Sequence, residues 1–230
     1  MNIEILHLID GAKKAKGLTV IIDVFRAYSM EAYLLNGGAE KIIPLADKDL
    51  AYKLKEKMPD MILAGERHGK ILPRFDTGNA PSKIDGLDLK GKTVIHTTSA
   101  GTQGIANATG ANEILGCALV NAQATAEYIK KQNPENVSLV CMGNEAVEQN
   151  AEDTLCAEYI KSLLQGNPLN MEEELEKLKL SPDSKKFFDP QKQDVFPKED
   201  YPLCTDLNRF DFILKYEKND EYGCIKKVTV

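Results

Sequence analysis

Tryptophan is absent and histidine nearly so: His7, His68 and His96 are the only three in 230 residues. They stand far apart and show no zinc-site spacing, which argues against a histidine-built metal centre. The aromatics are scattered, so no slot for a nucleotide base can be picked out. The five cysteines, at 117, 141, 156, 204 and 224, are odd in number and include no CxxC pair. Reduced thiols in the cytoplasm are the simplest expectation. The net charge of −6 offers no electrostatic footprint for nucleic acid. No run approaches the ~20 apolar residues of a membrane span, and the opening MNIEILHLIDGAKKAKG has no secretory h-region. Internal repeats, low-complexity tracts, a GxGxxG turn and a GKS/T phosphate loop are also missing.

What is present is an ordinary globular composition, 43% hydrophobic and 28% charged, long enough to bury a sizeable core. Leu18 to Val24 is a continuous apolar run and predicts a buried central strand. Further strands are predicted at 41–45, 61–64, 92–97, 113–117 and 137–142. Helices are predicted at 27–35, 47–58, after TSAGTQG to Ala108, and at 121–131 and 148–165. Alternation of this kind predicts a three-layer α/β/α fold with a largely parallel sheet. A single domain over 1–230 is expected, with 166–230 as a C-terminal subregion. That subregion reads as a charged helix at 171–180, an irregular excursion at 181–206 and a final β-hairpin turning at Asn219-Asp220.

The most informative stretch is GERHGKILPRFDTGNAP, Gly65 to Pro81. It follows the 61–64 strand and is too polar and too broken by turn formers to be a helix or strand core. It therefore places both signs of charge at the carboxyl edge of the sheet, where open α/β sheets bind ligands. Glu66 and Asp76 are candidate hard-cation ligands, Arg67 an anion clamp, and Asn79 a substrate-orienting or capping residue. The plainer alternative is a structured loop whose charges pair with one another, with His68 on its surface.

Three more constellations could carry chemistry. Asp23 ends its apolar run, so it can bind a metal or act as a base, and Arg26 follows at the next helix start. The alternative is an N-cap aspartate beside an exposed arginine. A haloacid-dehalogenase nucleophile is excluded because that pattern wants a second aspartate where Phe25 stands. Thr97-Thr98-Ser99-Ala100-Gly101-Thr102, between a strand and a helix, reads as an anion cradle or as ordinary N-capping. Glu152 and Asp153 are adjacent acids near a helix start, about 100° apart in direction, so one could face a site. Macrodipole preference is the alternative. Cys156 reads as a packed small hydrophobe; Cys141, at a strand end, is the better reactive candidate, with core packing the favoured alternative for it as well.

Taken together, IDVFRA (22–27), GER (65–67), FDTGNAP (75–81), TTSAGT (97–102), CMGN (141–144), EDTLCA (152–157) and RFDF (209–212) resemble the 2-phosphosulfolactate phosphatase family in order and spacing. The resemblance implies a three-layer α/β/α enzyme. It also implies Mg²⁺-dependent hydrolysis of 2-phosphosulfolactate to sulfolactate and inorganic phosphate, in coenzyme M biosynthesis. On that basis Asp23, Glu66 and Asp153 are the expected metal ligands, with Glu152 and Asp76 in reserve. Asp23 or Asp76 would activate water. Arg26, Arg67, Asn79, Thr97, Thr98, Ser99, Gly101 and Thr102 would hold the anionic groups of a small substrate. The alternatives are a phosphatase of another small phosphorylated acid, or a non-catalytic anion-binding relative. No nucleic-acid or membrane partner is expected, and a homodimer is, because such assemblies are common.

Overall fold

The apolar run at Leu18–Ile22 is buried throughout and lies between two parallel neighbours, as a fully covered central strand should. The computed structural model describes residues 1–218 and 222–230. Its strands are β1 (Asn2–His7), β2 (Gly17–Ile22), β3 (Lys41–Pro44), β4 (Ile62–Arg67), β5 (Lys70–Ile71), β6 (Thr93–Thr97), β7 (Ala111–Cys117), β8 (Asn136–Cys141), β9 (Phe212–Glu217) and β10 (Cys224–Thr229). Its helices are α1 (Leu8–Lys14), α2 (Ala27–Asn36), α3 (Lys48–Lys57), α4 (Gly101–Asn107), α5 (Ala122–Gln132), α6 (Ala151–Gln165), α7 (Met171–Lys179), α8 (Pro182–Lys185) and α9 (Asp200–Thr205). The strands form one ten-stranded sheet in the order β1-β8-β2-β7-β9-β10-β3-β6-β4-β5, within the expected three-layer α/β/α architecture. Among the described residues no helix is long and apolar enough to cross a membrane.

The C-terminal hairpin sits inside this sheet. β9 pairs antiparallel with β7 and with β10, and β10 pairs antiparallel with β3. The hairpin thus joins the parallel block β1-β8-β2-β7 to the parallel block β3-β6-β4. Phe212, Ile213, Leu214 and Ile225 are buried, as a position between two blocks demands. The turn expected at Asn219-Asp220 lies outside the described residues.

Three local expectations are corrected. The 61–64 strand extends as β4 through Arg67 and turns back through His68-Gly69, both at positive φ, into β5. The opening of the polar stretch is therefore hairpin, not loop. The helix expected from 148 starts at Ala151, because the Asn150 side chain accepts the Asp153 N–H and ends the irregular segment before it. The 181–206 excursion is folded: it contains α8, a 3₁₀ turn at Pro190–Lys192 and α9. β1 and α1, which the sequence reading did not place, add an edge strand and its following helix.

Tyr28 seats α2 against the site. Its ring is fully buried and packs where Gly116 of β7 leaves room; a Cβ there would stand 2.5 Å from the ring. Its hydroxyl donates to the Gly101 carbonyl at 3.0 Å, tying the start of α2 to the start of α4.

Candidate active site

A cavity of about 670 Å³ opens where β2, β6 and β8 end. Asp23, Glu66, Ser99 and Gly143 line it from the sheet side, and Lys186 and Phe196 line it from the C-terminal segment.

Asp23 follows β2 directly and is 6% exposed. Its Oδ1 accepts the Ala27 N–H at 3.1 Å, and the Gly101 backbone also hydrogen-bonds the carboxylate. Gly101 must be small: a Cβ would lie 2.8 Å from the Ala27 Cβ and 3.1 Å from Asp23 Oδ2. Asp153 sits behind. Its Oδ1 accepts the Val24 N–H and its Oδ2 the Gly143 N–H, each at 2.8 Å, so it holds the ends of β2 and β8 together. Burial, then the Asp153 charge, then Glu66, push the Asp23 carboxyl up to about 8. Burial raises Asp153 to about 6 against the pull of its backbone donors. Neighbouring like charges disfavour ionising both carboxyls, which adds to the effect of burial.

Glu66 is fixed by three donors. Oε1 accepts the Ser99 N–H at 2.7 Å; Oε2 accepts the Gly69 N–H at 2.7 Å and the Ser99 hydroxyl at 3.2 Å. Asn79 lines the cavity and is backed by a buried pair the sequence reading missed. His96 Nε2 lies 3.2 Å from Asn79 Oδ1, and His96 Nδ1 lies 2.8 Å from Glu31 Oε1. Burial raises the Glu31 carboxyl, and the His96 hydrogen bond opposes the rise.

Arg26 is only 3% exposed yet reaches the cavity wall. Its Nη1 donates to Asp200 Oδ2 at 2.6 Å, and its guanidinium lies 4.9 Å from the Phe196 ring centre. Asp200, fully buried, also accepts the Ser82 N–H at 2.9 Å. Breaking a buried pair leaves one charge uncompensated, so Asp200→Ala is expected to cost about 3–5 kcal/mol. Denaturant unfolding checks this; a loss below about 1 kcal/mol would mean the pair is solvated, as surface pairs are.

Other nominated residues lie off the cavity wall. The Arg67 guanidinium donates to the Glu66 and Ala46 carbonyls and to Thr97 Oγ1, which leaves it a structural clamp. Thr98 and Thr102 bond each other across the start of α4. Of the Thr97–Thr102 stretch Ser99 and Ala100 line the cavity, and the hydroxyls of Thr98 and Thr102 are engaged within the turn. Asp76 Oδ2 accepts the Leu63 N–H at 2.7 Å and meets Lys55 at 3.1 Å, with its side chain 49% exposed. It does not line the cavity. Asp76→Asn is expected to leave turnover unchanged, and a large fall in kcat would return it to the site. Glu152 is fully buried behind the wall with neither oxygen partnered, and burial and Asp153 push its carboxyl well above the usual range. Cys141 and Cys156 are buried, and burial pushes both thiols up, which disfavours thiolate chemistry.

Among the described residues no three His, Cys, Asp or Glu side chains converge into a metal cage. Of the carboxylates nominated for a metal, Asp23 and Glu66 line the cavity, and Asp153, Glu152 and Asp76 do not. Magnesium takes one or two carboxylates and keeps several waters, so this hard-oxygen pair fits it.

Fold and cavity together define an α/β protein whose carboxylate-lined, cation-flanked cleft lies at the carboxyl ends of its strands, where such sheets take their ligands. Residues 4–219 match the model of the family described as 2-phosphosulpholactate phosphatase. A "Probable 2-phosphosulfolactate phosphatase" of Bacillus subtilis (strain 168) is 32% identical over 93% of this chain and 92% of the relative. Another of that name, from Carboxydothermus hydrogenoformans, is 38% identical over 71% of this chain and 68% of the relative. The chain belongs to the 2-phosphosulfolactate phosphatase family.

Proposed function

We propose that the protein is a cytoplasmic, magnesium-dependent phosphatase that hydrolyses 2-phosphosulfolactate to sulfolactate and inorganic phosphate, a step of coenzyme M biosynthesis. Family membership supports the reaction class. The observation that carries the reading is the shared cavity wall of Asp23, Glu66 and Arg26: acids for a dication beside a fork for an oxyanion. The buried free cysteines suit a reducing compartment.

In this reading Asp23 and Glu66 would hold the metal, which when bound would offset charge developing on a phosphoryl oxygen. Ser99 and the Gly69 N–H keep Glu66 aimed, and Asp153 keeps the Asp23 loop in place by bonding the neighbouring Val24 N–H. Arg26 uses one nitrogen on Asp200 and has further N–H donors for phosphate oxygens. With Asp76 outside the cavity, Asp23 is the remaining nominee to take the proton of the attacking water. The water oxygen bonds phosphorus, the ester P–O bond breaks, and the leaving alkoxide takes up the proton that Asp23 removed, giving sulfolactate and returning Asp23 to its starting state.

Phosphate release from a panel of small monoesters tests the substrate. Turnover is expected to be highest for 2-phosphosulfolactate. Equal turnover of glycerol phosphate or a nucleoside monophosphate would contradict the reading.

A further inference from the structure

The substrate proposed above carries acidic groups besides its phosphate, and Arg67, one of the residues nominated to hold its anionic groups, is not on the cavity wall. Other cations are. Lys186 and Lys192, from the C-terminal segment, both line the cavity. Lys186 is held by aromatics: its ammonium lies 5.8 Å from the Phe25 ring centre, 5.7 Å from that of Phe187 and 5.3 Å from that of Phe196. Those rings also pack on each other, Phe25 on Phe187 at 5.0 Å and Phe187 on Phe196 at 5.8 Å, so the cage is built without the lysine's help. Among the described residues Lys186 forms no ion pair, although buried Glu152 and Asp153 feel its charge. Arg26 differs, because Asp200 already takes much of its charge.

A cation set against aromatic rings and engaged in no ion pair among the described residues is preorganised for an incoming anion. Lys192 is exposed and has only a loose 3.7 Å contact with Asp189, so it serves as an outer charge at the cavity. With phosphate assigned to Asp23, Glu66 and Arg26, a second anionic group is left to the other cations of the wall, of which Lys186 shares the Phe196 ring with Arg26. We infer that Lys186, assisted by Lys192, forms a subsite for the non-transferred anionic group, a sulfonate or carboxylate, and that this subsite sets the preference for phosphorylated acids over neutral monoesters. The inference rests on the phosphatase reading for its orientation of the substrate, but its binding claim can be tested separately.

The test is calorimetric titration of the full-length protein, with magnesium, by sulfolactate, lactate and inorganic phosphate. Lys186→Met keeps the stem among the rings, and Lys186→Gln provides a second variant; thermal melts establish that each is folded. Wild type is expected to bind sulfolactate. Both variants are expected to weaken it about tenfold or more, as loss of a charged hydrogen bond does, with a much smaller change for phosphate. Loss confined to sulfolactate identifies the sulfonate as the bound group, and a parallel loss for lactate identifies the carboxylate. No sulfolactate binding by wild type, unchanged affinity in folded variants, or equal loss for phosphate would overturn the subsite. Binding through Lys186 without any phosphate release from 2-phosphosulfolactate would sink the catalytic reading and leave the subsite standing. Turnover with unaltered sulfolactate affinity in Lys186→Met would do the reverse.

Discussion

Asp23→Asn is expected to lower kcat for phosphate release by about two to three orders of magnitude, the scale on which loss of one preorganised electrostatic group acts. The fold should survive. The Asn oxygen can still accept the Ala27 N–H, and removing one of the crowded charges relieves its repulsion with Asp153 and Glu66. The loss should appear in kcat and kcat/KM together, because the charge acts on the transition state. Steady-state kinetics on a variant with an unchanged melting profile measures it. Wild-type turnover in such a variant would remove Asp23 from the reaction.

The second large effect is on stability against pH in the metal-free protein. Unfolded, Asp23 titrates near its ordinary 3.8; folded, it is raised to about 8, chiefly by burial. Below the lower value both states hold the proton and the group is neutral to folding. Between the two the native state holds a proton that the unfolded chain has released, so stability falls as pH rises. Above about 8 both states are ionised and the whole loss is present. Asp153, raised to about 6, adds loss in the same direction over a narrower window. The melting temperature in EDTA should therefore drop from pH 5 to pH 8, the drop should shrink in Asp23→Asn, and magnesium should restore stability more at pH 8 than at pH 5. A melting temperature flat in pH, with magnesium equally effective at both ends, would contradict the crowding of charge at this wall.

Much of the site is legible in sequence because it lies where strand pattern gives way to polar residues. Asp23 ends an apolar run, Ser99 follows a strand, and Asp153 lies in the first turn of a helix whose start the sequence places three residues early. Glu66 was also named, although the strand carrying it runs further than its apolar residues suggest. What failed was assignment of partners. Arg67 and the threonines at 97, 98 and 102 have the right chemistry, but their polar atoms are used on one another and on nearby carbonyls. No spacing rule reveals that. Glu31 and His96 escaped notice because they lie within a helix and a strand otherwise read as core. Lys186, Phe196 and Asp200 belong to a segment with no period of either kind, so neither its course across the strand ends nor its buried pair with Arg26 is encoded locally. The same holds for the sheet: each strand of the last hairpin is readable, but its place between β7 and β3 is a long-range choice.

The most direct test of the whole account is the time course of inorganic phosphate from 2-phosphosulfolactate with the purified protein, run in magnesium and again in EDTA. Steady release in magnesium that stops in EDTA and resumes when magnesium is restored is the predicted result. No release by folded protein in magnesium would contradict hydrolysis of this substrate, and release undiminished in EDTA would contradict the metal held by Asp23 and Glu66.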